Sequence, residues 1–323
     1  MIRLIRLIRF ICALALLGAN CVNAQQTQVP SLIRIIVPFA AGGSTDVIAR
    51  SLASQLSVRL NTTVIVENRT GGGGLIGASI VAKGAKDGSV LLLSTASLAT
   101  AAATVKSVSF DLNSDLLPVA ELGEGPMVVA VSTKTNIKTP LDLLAAARAK
   151  PDELTHGTAG VGSISQLTVE LLNDMAKAQM KHIPYKGSAL ALIDLASGTI
   201  DMMVAINTTL SSQIKANRVR IIGVTTLQPS PAFPGILPMA SAVPGFDVDY
   251  WVGVFAPVGT PVNLIQRFNR EINEIAKSKE VGDQLAFDGQ LAKPLSSEEF
   301  GRRVRHSYDT WRRISIEKNI IAE

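Results

Sequence analysis

Short runs rich in Ile and Val alternate along the chain with longer stretches of helical period. Strands are predicted at 33–37 (IRIIV), 63–66 (TVIV), 90–93 (VLLL), 127–131 (MVVAV), 201–206 (DMMVAI) and 220–225 (RIIGVT). Helices are predicted at 45–59, 75–85, 140–149, 164–178, 188–197, 262–278 and 297–313. Strands that are apolar on both faces and separated by helices point to parallel α/β sheets. Two extended stretches, 118–131 and 247–256, read as crossings between two lobes. They divide the chain into a discontinuous first lobe, 28–125 plus 251–323, and a continuous second lobe, 126–250. Two α/β lobes joined by two crossings put a cleft at the hinge, where ligands bind.

The first residues follow a different pattern. Residues 1–9 alternate Ile or Leu with Arg, and 10–19 (FICALALLGA) form a short apolar run. Val22 and Ala24 occupy the small-residue positions of a cleavage site. This is the pattern of a secretory signal peptide, too short for a membrane span, with cleavage expected after Ala24. Cys12 and Cys21 would both leave with it, so the exported chain would hold no disulfide and no thiol nucleophile. Arg3, Arg6 and Arg9 leave too, and the net charge drops from +5 to a balance of 28 basic against 26 acidic residues. With aromatics at 4%, a near-neutral chain has neither the charge footprint nor the stacking platforms of a nucleic-acid binder.

Three small-residue loops could carry chemistry. The first, Phe39-Ala40-Ala41-Gly42-Gly43-Ser44-Thr45-Asp46, follows strand 33–37 and opens a helix. Gly42 and Gly43 allow close backbone approach, and Gly43 is expected to need it or a positive φ. Ser44 or Thr45 would cap the helix, and the N–H groups at its start suit an anion such as a carboxylate. The second loop follows a strand ending near His156. It contains Thr158, Ala159, Gly160, Gly162 and Ser163, with Ser163 as N-cap. It repeats the first device in the other lobe, and neither loop contains Arg or Lys. The third, 71–77 (GGGGLIG), fits G-x-G-x-x-G but lacks the acidic residue that a dinucleotide site needs about 20 positions on, and reads as a flexible turn. Ser94 and Thr95 end a strand, Lys186 is the nearest cation to the second loop, and Asn207 ends strand 201–206. His156, His182 and His306 have no metal-ligand spacing, and there is no P-loop or G-x-S-x-G elbow. No metal, no cofactor and no catalytic group is expected.

The runs IRIIVPFAAGGSTDVIARSLASQL and VIVENRTGGGGLIGASIVAKGAKDGSVLLLST resemble the Bug family, the periplasmic solute-binding receptors of tripartite tricarboxylate transporters. HIPYKGSALALIDLASGTIDMMV, RIIGVTT and DYWVGVFAPVGTPVNLIQRFNREI continue the resemblance over nearly all of 30–323. It implies a two-lobed type 2 periplasmic binding fold, the Venus flytrap, and no enzyme activity. It also implies capture of a small carboxylate between Phe39–Asp46 and Thr158–Ser163, partly through ordered water, and delivery to membrane permease subunits by a monomer in the periplasm. Asn61-Thr62 replaces the usual Gly-Gln, and Ser89 stands where Tyr is common. The carboxylate is left open, and an exported α/β hydrolase or a sensor for a signalling partner are the competing readings.

Overall fold

The structure, a computed structural model, describes residues 28–322; the signal-peptide expectation falls outside them. Two five-stranded sheets organise the described residues. The first has the order β2-β1-β3-β10-β4, built from β1 (Leu32–Val37), β2 (Thr63–Asn68), β3 (Val90–Thr95), β4 (Leu116–Pro126) and β10 (Asp249–Pro257). The second has the order β7-β6-β8-β5-β9, built from β5 (Val128–Ser132), β6 (Thr155–Thr158), β7 (Lys181–Pro184), β8 (Met202–Ala205) and β9 (Val219–Val224). The sheets are mixed, which corrects the parallel expectation. β1, β2 and β3 run parallel, as do β6, β7 and β8, whereas β10 is antiparallel to β3 and β4, and β5 to β8 and β9. The physical reason is the crossings. Each sheet receives one strand that arrives from the other sheet, and such a strand enters head-on.

The helices in chain order are α1 (Ser44–Leu60), α2 (Leu75–Ala82), α3 (Ser97–Thr104), α4 (Pro140–Ala149), α5 (Ile164–Ala176), α6 (Ser188–Ser197), α7 (Asn207–Lys215), α8 (Val262–Ala276), α9 (Lys279–Phe287) and α10 (Ser297–Glu317). α8 buries Leu264, Ile265, Phe268, Ile272 and Ile275, a 3.6-residue stripe against the first sheet. α10 starts with a capping box: Glu299 N donates to Ser296 Oγ, and Ser296 N donates back to Glu299 Oε2. Its Phe300 fills the space over Gly253, edge-on to Trp251 with ring centroids 5.5 Å apart. On β5 the pleat divides the core. Val128 and Ala130 face a cluster with Ala191, Leu195 and Met203, while Val129 and Val131 join the larger core. Asn61 ends α1 at φ 51, the left-handed position that Gly usually fills and Asn tolerates.

The register shows which strand ends meet. Thr95, the last residue of β3, pairs with Val252, three residues into β10 from the crossing. Ala205, the last of β8, pairs with Val128, the first of β5. Because β1 is parallel to β3, and β6 to β8, the loops following all four strands sit on the side of their sheets where the lobes join. Thr225 fastens the two crossings together. Its buried hydroxyl accepts from Met127 N at 2.9 Å and donates to Val248 O at 2.8 Å. Its backbone N–H donates to Met127 O, and Val248 N donates to Thr225 O.

Candidate functional site

In the first loop Gly42 holds the positive φ, +82, and Gly43 lies at −74 in extended backbone as the N-cap of α1. Of the two alternatives expected for Gly43, the positive φ is excluded and belongs to Gly42 instead. The expected hydroxyl cap is absent as well, because no side chain caps α1. Asp46 braces the loop from inside instead. It is 2% exposed, and its Oδ2 accepts from Gly42 N and Arg50 Nε, each at 2.9 Å. Its Oδ1 accepts from Asn68 Nδ2 at 2.9 Å, and the same amide donates to Phe39 O at 3.1 Å. Burial pushes the Asp46 carboxyl up, but the bonds from Arg50, Gly42 and Asn68 outweigh it and hold the group ionised below its ordinary range.

This bracing leaves donors unspent. Gly43 N turns back to Ala40 O at 3.4 Å, and the first helical bond is Val47 N to Gly43 O. Among the described residues the N–H groups of Ala41, Ser44 and Thr45 and the two hydroxyls make no hydrogen bond. Ala40 to Gly43 are exposed, and Ser44 and Thr45 half-buried. A helix start with free N–H groups and two hydroxyls suits an anion.

The second loop is organised differently. Thr158 Oγ1 meets His182 Nε2 at 2.7 Å and accepts from Gly160 N at 3.2 Å. Ser165 Oγ accepts from Ala159 N, Gln166 Oε1 accepts from Gly162 N, and Ser163 Oγ donates to Gly160 O at 2.6 Å while capping α5. Among the described residues Val161 N has no partner at the apex, beside an exposed Val161 side chain. The turn before α6 is tied on through Tyr185 N to Thr158 O and Gly187 N to Ala159 O. That places Lys186 beside the loop, exposed and without an ion-pair partner among the described residues. Beneath the loop His156 stacks on His182 at 5.1 Å. Burial, then the neighbouring His182, pushes His156 down to about 3, so its ring is neutral at ordinary pH.

α3 stands between the two loops. Its Ala101 lies against Gly73 of the four-glycine turn, whose Gly74 packs on Pro38 at the root of the first loop. Its Thr104 lies against Gly162 of the second. Ser94 and Thr95 are fully buried at the end of β3, and Ser94 Oγ has no partner among the described residues. Thr95 Oγ1 accepts from Ser97 N at 3.3 Å. Asn207 does not join these loops through its side chain; Nδ2 donates to Phe287 O at 2.7 Å. Two surface hollows, of about 490 and 400 Å³, lie elsewhere, one beside α8 at Arg267 and the other between α3, α10 and Phe110. Among the described residues no group of three His, Cys, Asp or Glu is placed to hold a metal.

Residues 48–319 match the model of the family described as the tripartite tricarboxylate transporter family receptor. The chain belongs to that family. Its relatives include the protein BugT of Bordetella pertussis, 36% identical over 266 residues, 81% of each chain. A Pseudomonas protein encoded between tcbD and tcbE is 34% identical over 289 residues, 89% of this chain and 86% of its own. Among solved structures, an R. palustris protein with adipate has TM-score 0.79 at 29% identity, over 90% of this chain and 98% of that one. The periplasmic binding protein BugD has TM-score 0.76 at 28% identity, over 90% of this chain and 98% of its own. MatC from Rhodopseudomonas palustris with bound malate has TM-score 0.75 at 26% identity, over 88% and 98%. A receptor of this family is a periplasmic solute-binding protein and not an enzyme, with the two-lobed α/β architecture described above.

The sequence reading passed over Asn68, Asp46 as a brace, and Thr225. For Asp46 and Asn68 the signal was faint: an acid at the third helical position and an Asn at a strand end. Thr225 has none, because its importance arises only where two distant crossings meet.

Proposed function

We propose that this receptor captures a small carboxylate between the lobes and hands it to the membrane permease subunits of a tripartite tricarboxylate transporter. The observation that carries the reading is the set of unspent donors at Ala41, Ser44 and Thr45, on a loop braced by Asp46 and Asn68. Related receptors solved with adipate and with malate support a carboxylate as the solute. The carboxylate lies against the first loop and is enclosed from the other side by Val161 and the second loop, with Lys186 at the rim. Neutral dipoles in a closed site are weakly screened, so they can hold an anion without a direct ion pair. The leader is removed after Ala24, and the receptor works in the periplasm as a chain beginning at Gln25.

Calorimetric titration with adipate, malate, citrate, glutamate and aromatic acids tests the reading, with the corresponding amides as controls. The expected result is saturable binding of at least one acid and of no amide. Binding of none of the acids, or equal binding of acid and amide, overturns it.

A further inference from the structure

Next to the crossings, the first lobe grips the second through the end of α9. Phe287 and Asp288 belong to the first lobe. α9 is held to α1 by Gln284 Nε2 to Ser51 Oγ at 2.9 Å, and Leu291 extends the first sheet by exchanging hydrogen bonds with Glu124. Asn207 and Thr208 open α7 in the second lobe. Asp288 is 3% exposed, and one oxygen, Oδ1, accepts both from Thr208 N at 2.6 Å and from Thr208 Oγ1 at 2.7 Å. Phe287 O accepts from Asn207 Nδ2 at 2.7 Å. Phe233 of the second lobe closes over the same spot, so that a Cβ on Gly289 would come within 2.5 Å of its ring.

A carboxylate that accepts from the second N–H and the hydroxyl at a helix start does what an N-cap residue does. α7 has no side-chain cap of its own, since its N-cap position is Ile206. The cap comes from the other lobe. Burial pushes the nearby Tyr250 hydroxyl up to about 12, and the Asp288 charge adds to that rise against the opposing pull of Thr95 and Ser97.

We propose that Asp288 is a positioning residue: it caps α7 from the opposite lobe, and its bonds to Thr208 set the equilibrium between the lobe arrangement seen here and a more separated one. Ligand affinity follows from that equilibrium, because a cleft protein binds tightly only to the extent that its competent arrangement is populated. This consequence rests on the carboxylate reading; the lobe equilibrium itself does not, and is measured without a solute.

From Gln25 onward the chain has no native cysteine, so spin labels can be placed at Val58 and Ile193, exposed positions on α1 and α6. Electron–electron distance measurements are then made on the solute-free protein. Asp288→Ala is expected to shift the ratio of arrangements by about tenfold toward longer distances. Asp288→Asn keeps an oxygen acceptor and is expected to restore the wild-type distribution. An unchanged distribution in Asp288→Ala overturns the proposal, as does an Asp288→Asn distribution displaced as far as that of Asp288→Ala. Should Asp288→Ala not fold, Thr208→Val decides against Thr208→Ser. The Val variant is expected to be displaced and the Ser variant to match wild type; an unchanged Val variant overturns the proposal.

Discussion

Gly42 and Gly162 share a left-handed backbone, at φ +82 and +76, but differ in what surrounds them. A Cβ on Gly42 meets nothing within 4 Å. A Cβ on Gly162 meets Thr104 Oγ1 at 2.5 Å and Ala322 Cβ at 2.9 Å, both in the first lobe. Alanine at either site incurs about 1–2 kcal/mol for the left-handed conformation, offset by roughly 0.4–1 kcal/mol from a stiffer unfolded chain. Gly162→Ala adds an overpacking cost of about 1–3 kcal/mol. Thr104 cannot rotate away freely, because its hydroxyl donates to Thr100 O at 2.9 Å and its carbonyl accepts from Ala322 N at 3.1 Å. The expected gap between the variants is therefore about 2 kcal/mol, measured as the difference in urea unfolding free energy at constant m-value. Gly162→Ala should be the less stable. If the two variants unfold at the same denaturant concentration, the second loop is not wedged against the first lobe and the interlobe contact described here is wrong.

Other expectations follow from the hinge and the charges. Thr225→Val keeps the shape but strips the hydroxyl from the two crossings, and should cost about 1–3 kcal/mol in unfolding free energy because Met127 N loses its acceptor; a neutral effect would show the crossings are not tied there. Glu121 is fully buried on β4, with Arg303 3.2 Å away, and burial raises it from 4.5 to about 7 against the pull of Arg303 and Lys293. Between those values the unfolded chain has released the proton that the folded one keeps, so stability should fall as pH rises from 4.5 to 7, by up to about 3 kcal/mol. Relative to Glu121→Gln, whose curve lacks this slope, wild type should lose stability across that window in urea titrations; a constant offset would contradict it. Lys186→Ala should weaken adipate or malate binding by less than about fivefold, the range of an exposed charge; abolished binding would mean a direct ion pair at the second loop.

Much of the strand and helix framework was legible because Ile and Val runs and helical stripes report burial directly. β1, β2, β3, β5, β8 and β9 lie where the runs IRIIV to RIIGVT put them. The stretches read as crossings proved to be strands in their own right, β4 and β10, since an extended segment between lobes finds a partner in its own first sheet. β7 escaped notice because its Lys181, His182 and Pro184 leave no apolar run on an edge strand. α3, α7 and α9 are eight or nine residues long, and SLATAAAT or NTTLSSQIK carries too weak a stripe to declare a helix. The loops were visible as small-residue strings, but their division of labour was not. Whether Thr158 and Ser163 spend their hydroxyls internally depends on His182, Gly160 and Gln166, partners that only the fold assembles.

The central claim is that the backbone donors of the first loop hold a carboxylate. It is tested most directly by amide chemical shifts in isotope-labelled protein titrated with adipate or malate. The account predicts saturable shifts at the N–H groups of Ala41, Ser44 and Thr45, as hydrogen bonds form where none exist now, with smaller shifts at Val161. Saturating shifts that leave these amides unmoved and gather instead around Arg267 beside α8, or around Phe110 between α3 and α10, would contradict it.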